Sequence, residues 1–135
     1  MFKTVLFPID QTLESRHAAD LVADIVRTYK SQLIVLSVVE PPSEEGESNP
    51  EMTSPEAIAR LLETAKTLFK DQGIDTETMD RQGKPAFVIC DVADELNVDL
   101  IIMGSRGVGL MEETSSDSVS NRVINLSPCP VLIVP

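Results

Sequence analysis

Four short runs of this chain are aliphatic without the polar alternation of a half-exposed strand: Lys3 to Ile9, Gln32 to Val39, Val98 to Met103, and the closing PVLIVP. A strand that is apolar on both faces needs cover on both faces, and the common solution is a parallel sheet sandwiched by helices. The segments between the runs fit that cover. Ala18, Leu21, Val22, Ile25, Val26 and Tyr29 recur at helical spacing, so the first two strands and this helix form a βαβ unit, with parallel strands and a right-handed crossover.

Residues 40–53 carry glutamates, prolines and a glycine without apolar periodicity, which predicts an exposed, mobile loop from Glu40 to Thr53. A second helix starts at TSPEA: Thr53 or Ser54 can cap it, Pro55 suits its first turn and Glu56 its positive end. Its inward stripe is Ile58, Leu61, Leu62, Ala65, Leu68 and Phe69, and Gly73 ends it. Ile74 to Asp80 alternates weakly and is polar enough for an edge strand. Pro85 opens a third helix with Ile89, Val92, Ala93 and Leu96 inward, and a fourth begins near Ser118 with Val119, Val123 and Leu126 inward. Five strands alternating with four helices predict an α/β fold, an open parallel sheet with helices on both faces. At 135 residues this is one domain, 1–135.

Composition narrows the function. With aromatic residues at 4% and no Trp, platforms for stacking nucleic-acid bases are scarce, and a formal charge of -11 repels polyanions and anionic membranes. No nucleic-acid or membrane partner is expected. Cys90 and Cys129 have no CxxC spacing and read as reduced, buried thiols. The opening MFKTVLFPID is too short for a signal-peptide core, and no run approaches the ~20 apolar residues of a membrane span, so the expected location is the cytoplasm.

Ligands of such sheets bind beyond the carboxyl ends of the strands, where the strand order reverses. That edge holds Pro8 to Asp10, Val38 to Glu40 and the segment from Met103 onward. Gly104 and Gly107 permit a tight turn and close backbone approach. The helix beginning near Ser118 offers free N–H groups, Ser115, Ser116 and Ser118 offer hydroxyls, and Arg106 offers a cation.

In VLFPID, LSVVE, DLIIMGSRG and SPCPVLIVP, and along essentially all its length, the chain resembles the universal stress protein family. The resemblance implies a Rossmann-like, adenine nucleotide alpha hydrolase-like sheet of strand order 3-2-1-4-5. It implies a dimeric, cytoplasmic stress-response module binding ATP or AMP, with Mg²⁺ if ATP. In the family's nucleotide-binding branch the loop reads Gly, two residues, Gly, nine residues, then Gly followed by Ser or Thr. Gly104, Gly107 and Ser118 match that spacing, and Asp117 stands where the third glycine would be. By resemblance, Asp10 would face the ribose, Pro8 and Val38 would flank the adenine, and Met103, Gly104, Arg106 and Gly107 would form the rim. Ser118 and Val119 would meet phosphates beside Asp117. The homodimer would pair Val131, Leu132, Ile133 and Val134 of each copy, covering an otherwise open apolar edge.

Other readings stand beside these. A carboxylate ~5 Å from a phosphate charge costs ~3 kcal/mol at an effective dielectric of 20, on the order of a hundredfold in affinity, so Asp117 would weaken phosphate binding unless it rotates away or Mg²⁺ intervenes. Asp117 is also a good N-cap, satisfying the dipole that a phosphate would otherwise meet. Asp10 can cap the following turn, and Arg106 can be a solvated loop cation. His17, the one histidine, lies in polar ESRH without a metal-ligand partner, and no GxSxG elbow presents a nucleophile. No catalytic residue is assigned, and hydrolysis, if present, is slow. The alternative function is a protein-interaction module of the same fold that binds no nucleotide.

Overall fold

The computed structural model describes residues 1–9, 13–40, 54–104 and 119–135, the side chains of residues 13–17 excepted. Along the chain run β1 (Thr4–Ile9), α1 (Leu13–Tyr29), β2 (Gln32–Val39), α2 (Pro55–Lys70), β3 (Thr76–Gln82), α3 (Pro85–Glu95), β4 (Leu100–Gly104), α4 (Val119–Leu126) and β5 (Val131–Val134). The strands form one sheet in the order β3-β2-β1-β4-β5, every neighbouring pair parallel, as the aliphatic runs and the family resemblance predict.

Successive strand side chains point to opposite faces, so the sheet divides the interior into two apolar layers. Val5, Phe7 and Ile9 of β1, with Leu33 and Val35 of β2, pack under α1 and α2. Leu6, with Ile34 and Leu36, packs under α3 and α4. Leu6, Leu36 and Ile101 are fully buried on the α3–α4 face, and Val5, Leu33 and Val35 on the other. Each such side chain contributes about 1.5–3 kcal/mol on leaving water. Phe7 meets Phe69 of α2 edge to face, ring centres 6.1 Å apart, which ties the central strand to the helix that follows β2.

Local chemistry sets the element ends. Ser54, with φ -67° and ψ 152°, accepts a hydrogen bond at 3.1 Å from the Ala57 amide, so of the two predicted caps it is Ser54 that starts α2. At the other end Gly73 has φ +80° and donates its amide to the Lys70 carbonyl at 2.9 Å. The Thr4 amide donates to Asp99 Oδ2 at 2.9 Å, and the Asp99 amide donates to the Thr4 carbonyl at 2.8 Å, locking the starts of β1 and β4 together.

Several boundaries differ from expectation. β3 begins at Thr76 and ends at Gln82, two residues later than predicted, because Ile74 fills the α1–α2 layer before the strand starts. β4 begins at Leu100, with Val98 buried ahead of it. On α1 the buried side holds Ala18, Ala19, Val22, Ala23 and Val26, while Leu21 and Tyr29 are exposed. Small alanines let the helix approach the sheet closely, and the larger residues flank the contact. Tyr29 stacks edge to face on Phe2 instead. Leu96 and Leu126, both predicted inward, are exposed at the ends of their helices.

Cys90 is buried as expected, but Cys129 is only half-buried, in the turn before β5. Burial raises the Cys90 thiol above the ordinary 9.0, with Asp91 and Cys129 adding to the rise. Burial also raises Cys129, partly countered by the Ser127 hydroxyl. Both are poor nucleophiles at neutral pH. Among the described residues no helix is long and apolar enough to cross a membrane.

Candidate functional site

β1 lies between β2 and β4, and its backbone pairing extends further along β2 than along β4. Pairing with β2 continues through Pro8↔Leu36 to Ile9↔Ser37, whereas pairing with β4 consists of Val5↔Leu100 and Leu6↔Ile101. Beyond Leu6 the β1–β4 ladder stops. Pro8 has no amide hydrogen to donate, and a proline inside a central strand is tolerated where the ladder is ending. The strand order reverses between β1 and β4, and ligands of open α/β sheets sit at the carboxyl ends of such a pair.

The period of two sends Pro8 to the same face as Leu6, Val38 to the same face as Ile34 and Leu36, and Met103 to the same face as Ile101. Met103 belongs to the α3–α4 apolar cluster, with Val38 of β2 and Val119 of α4 packed against it. The structure therefore brings four of the sequence-predicted site residues, Pro8, Val38, Met103 and Val119, to one face at one edge of the sheet. Pro8, Val38 and Val119 are half-buried and Met103 is 7% exposed, so they form an apolar floor that remains partly open. Gly104 ends β4 beside it and is half-buried. Asp10, Arg106, Gly107, Asp117 and Ser118, with Ser115 and Ser116, lie outside the described residues, as do residues 41–53 and the His17 side chain.

Sequence reasoning missed one contributor to this edge. The Gly83 amide donates to the Val39 carbonyl at 3.0 Å, binding the β3–α3 turn to the end of β2. Gly83 has φ +142°, and a Cβ there would lie 2.7 Å from Val88 Cγ2 of α3, so only glycine fits the turn as built. Lys84 follows, exposed, at the start of α3, a helix with no side-chain cap and no acid in its first turn. Arg81 on the neighbouring strand is paired with Glu95 at 3.4 Å. The signal was the GKP triplet, which marks the helix start through Pro85 but does not disclose that Gly83 holds this turn against Val39.

A floor of Val, Met and Pro accepts a flat, largely apolar ring, and free backbone at the strand ends can bind that ring's polar edge. Among the described residues no group of three or more His, Cys, Asp or Glu side chains gathers to hold a metal ion.

Comparison with known proteins agrees with the fold. The sequence model of the universal stress protein family matches residues 1–135. The universal stress protein Sll1654 of Synechocystis sp. is 58% identical over 137 residues, covering 100% of this chain and 87% of that protein. A universal stress protein of Thermus aquaticus is 34% identical over 140 residues, covering 99% of each chain. Among solved structures, a universal stress protein in complex with cAMP superimposes with a TM-score of 0.79 at 27% identity, covering 99% of this chain and 97% of that one.

Proposed function

This chain belongs to the universal stress protein family, and from that membership we propose that it is a cytoplasmic regulatory module that binds an adenine nucleotide at the carboxyl edge of its sheet and works as a homodimer. The observation that carries the nucleotide reading is the gathering of Val38, Met103 and Val119 in one apolar layer, with Pro8 on the same face of the sheet, at the carboxyl ends of the strands between which the order reverses. Adenine would lie on this floor. Asp10 would reach the ribose, Gly104, Arg106 and Gly107 would line the rim, and Ser118 would meet phosphate next to Asp117. The cAMP complex of a relative with the same fold supports an adenine ligand. With ATP, Mg²⁺ would be held by the phosphates and water rather than by a protein cage.

The assembly half of the proposal rests on the contrast between the sheet's two edges. β3 exposes Glu77, Thr78, Asp80, Arg81 and Gln82, and charged side chains on an edge discourage pairing. β5 is Val-Leu-Ile-Val, each residue half-buried, and it is the last strand on its side of the sheet among the described residues. A second copy pairing there would remove that edge. Asp117 favours the alternative, a protein-interaction module without nucleotide.

Isothermal titration of ATP and of AMP, each with Mg²⁺, separates the two readings. Saturable heat from either nucleotide, lost in Met103→Asp, is the expected result. No heat and no thermal stabilisation at millimolar nucleotide would leave the interaction module as the better account.

A further inference from the structure

The outer side of β5 carries a definite row of backbone groups. The Ile101 amide donates to the Pro130 carbonyl at 3.0 Å, and β5 then keeps step with β4 from Ile101↔Val131 to Gly104↔Val134. Successive residues of a strand turn their amide and carbonyl to opposite sides, so Pro130, Leu132 and Val134 face β4, and Val131 and Ile133 face outward. Among the described residues no strand lies on that side. Prolines bracket the row, since neither Pro130 nor Pro135 has an amide hydrogen.

A second copy meets this row about a twofold axis, which makes the contact isologous; with the axis normal to the sheet, the two β5 strands run antiparallel. Three registers bring outward residues together. With Val131 opposite itself, Ile133 faces Cys129 of the second copy, whose amide already donates to the Ser127 hydroxyl oxygen at 3.1 Å and whose carbonyl accepts from that hydroxyl at 2.7 Å. With Ile133 opposite itself, Val131 faces Pro135, which has no hydrogen to give. With the axis at Leu132, Val131 faces Ile133 of the second copy on each side of the axis, and each such pair exchanges both of its hydrogen bonds. This register alone uses every outward group.

Its side-chain pairs fit as well. Leu132 packs in the α1–α2 layer and would meet Leu132 of the second copy there, while Val131 and Ile133 pack in the α3–α4 layer and would meet one another. All these cross-strand pairs are aliphatic, and no like charges are opposed. For chains that each carry a formal charge of -11, an edge without charge is the place where two copies can approach.

We propose that the second copy pairs antiparallel along β5 with the twofold axis at Leu132, through reciprocal hydrogen bonds between Val131 and Ile133. This rests on the homodimer reading given above and adds to it the register of the contact.

Single cysteines read that register. A residue opposite itself in a non-hydrogen-bonded pair has Cα atoms ~4.5 Å apart, within the ~4.4–6.8 Å that a disulfide spans, whereas Val131 and Ile133 would each lie roughly 8 Å from their own copies. Leu132→Cys, Val131→Cys and Ile133→Cys are each combined with Cys90→Ala and Cys129→Ala, then oxidised in air with copper phenanthroline. The expected result is a covalent dimer on a non-reducing gel from Leu132→Cys alone. Covalent dimer from either of the other two, or from none, overturns the register, while a wild-type dimer in sedimentation equilibrium keeps the homodimer reading. A wild-type chain that stays monomeric removes that reading and the register with it. Should the cysteine variants not fold, amide hydrogen exchange of the wild type decides. Val131 and Ile133 should both gain protection on dimerisation, and a gain at one or neither would overturn the proposal.

Discussion

Replacing Gly83 with alanine isolates the turn that holds the β3–α3 connection against the end of β2. The added Cβ would lie 2.7 Å from Val88 Cγ2, where carbon atoms normally stay ~3.5–4.0 Å apart. Val88 is β-branched and packs in the α3–α4 layer, so its χ1 cannot swing away without losing its seat. Overpacking of this kind costs about 1–3 kcal/mol. The φ of +142° is an independent strain for any residue with a side chain, of order 1–3 kcal/mol. Stiffening the unfolded chain returns about 0.4–1 kcal/mol, leaving a net loss of about 3 kcal/mol.

Urea unfolding followed by circular dichroism measures that loss, and with a slope of about 1–3 kcal/mol/M the midpoint should fall by roughly 1–3 M. The double variant Gly83→Ala with Val88→Ala separates the two causes, because it removes the collision and keeps the backbone strain. A double-mutant cycle should recover about 1–2 kcal/mol as interaction energy. A single Gly83→Ala variant within about 0.5 kcal/mol of wild type, the range of an inert surface change, would refute the reasoning about this turn.

Val123→Ala should cost about 2–3 kcal/mol by urea unfolding, since it removes two fully buried methyl groups at the one buried residue of α4; a loss under 1 kcal/mol would mean that α4 is held by something else. Asp117→Gly should tighten ATP binding, measured by titration calorimetry, by up to about a hundredfold, while adenosine binding stays unchanged; equal tightening of both would point away from a carboxylate–phosphate repulsion. Stability should fall with rising alkalinity: the folded Cys90 thiol is raised above the ordinary 9.0, so the unfolded chain loses its proton first. The Cys90 contribution is complete below that ordinary value and is lost as pH rises towards the folded one. Cys90→Ala should therefore flatten the alkaline limb of a pH–stability curve, and an identical limb in both proteins would contradict the assignment.

Much of the fold was legible because strands covered on both faces must be largely apolar, and β1, β2, β4 and β5 are. β3 was the weakest to place for the opposite reason. As an exposed edge strand it has almost no apolar signal of its own, and the nearest apolar residue, Ile74, belongs to the core ahead of it. On α1 the reading followed Leu21 and Tyr29 because large residues dominate a hydrophobic count, whereas packing against a sheet prefers Ala19 and Ala23. The candidate site was legible as a place, since the alternation of strands and helices specifies the edge at which sheets of this kind take ligands. Which residues of β1 pair with β4 was not, because sheet register is decided between segments that are remote in sequence. Gly83 escaped for a similar reason: its constraint comes from Val88 and Val39, and a glycine before Lys-Pro looks like any other turn.

The two edges of the sheet show how the same topology creates a problem and places its remedy. An open parallel sheet must end twice, and each end exposes a row of unpaired backbone groups. β3 meets this with charge, and its side chains lose little by facing water. β5 cannot do the same, because Val131 and Ile133 pack against the α3–α4 layer while Leu132 and Val134 pack against the α1–α2 layer. Substituting charge on either face would remove core contacts, so the aliphatic character of β5 is imposed from within the domain rather than from outside it. Burial of the remaining half of four such residues is then available only to an added strand, and another β5 offers the same two-sided apolar pattern. Since β5 is also the strand hydrogen-bonded to Met103 and Gly104, the element that most needs cover is the one nearest the proposed ligand.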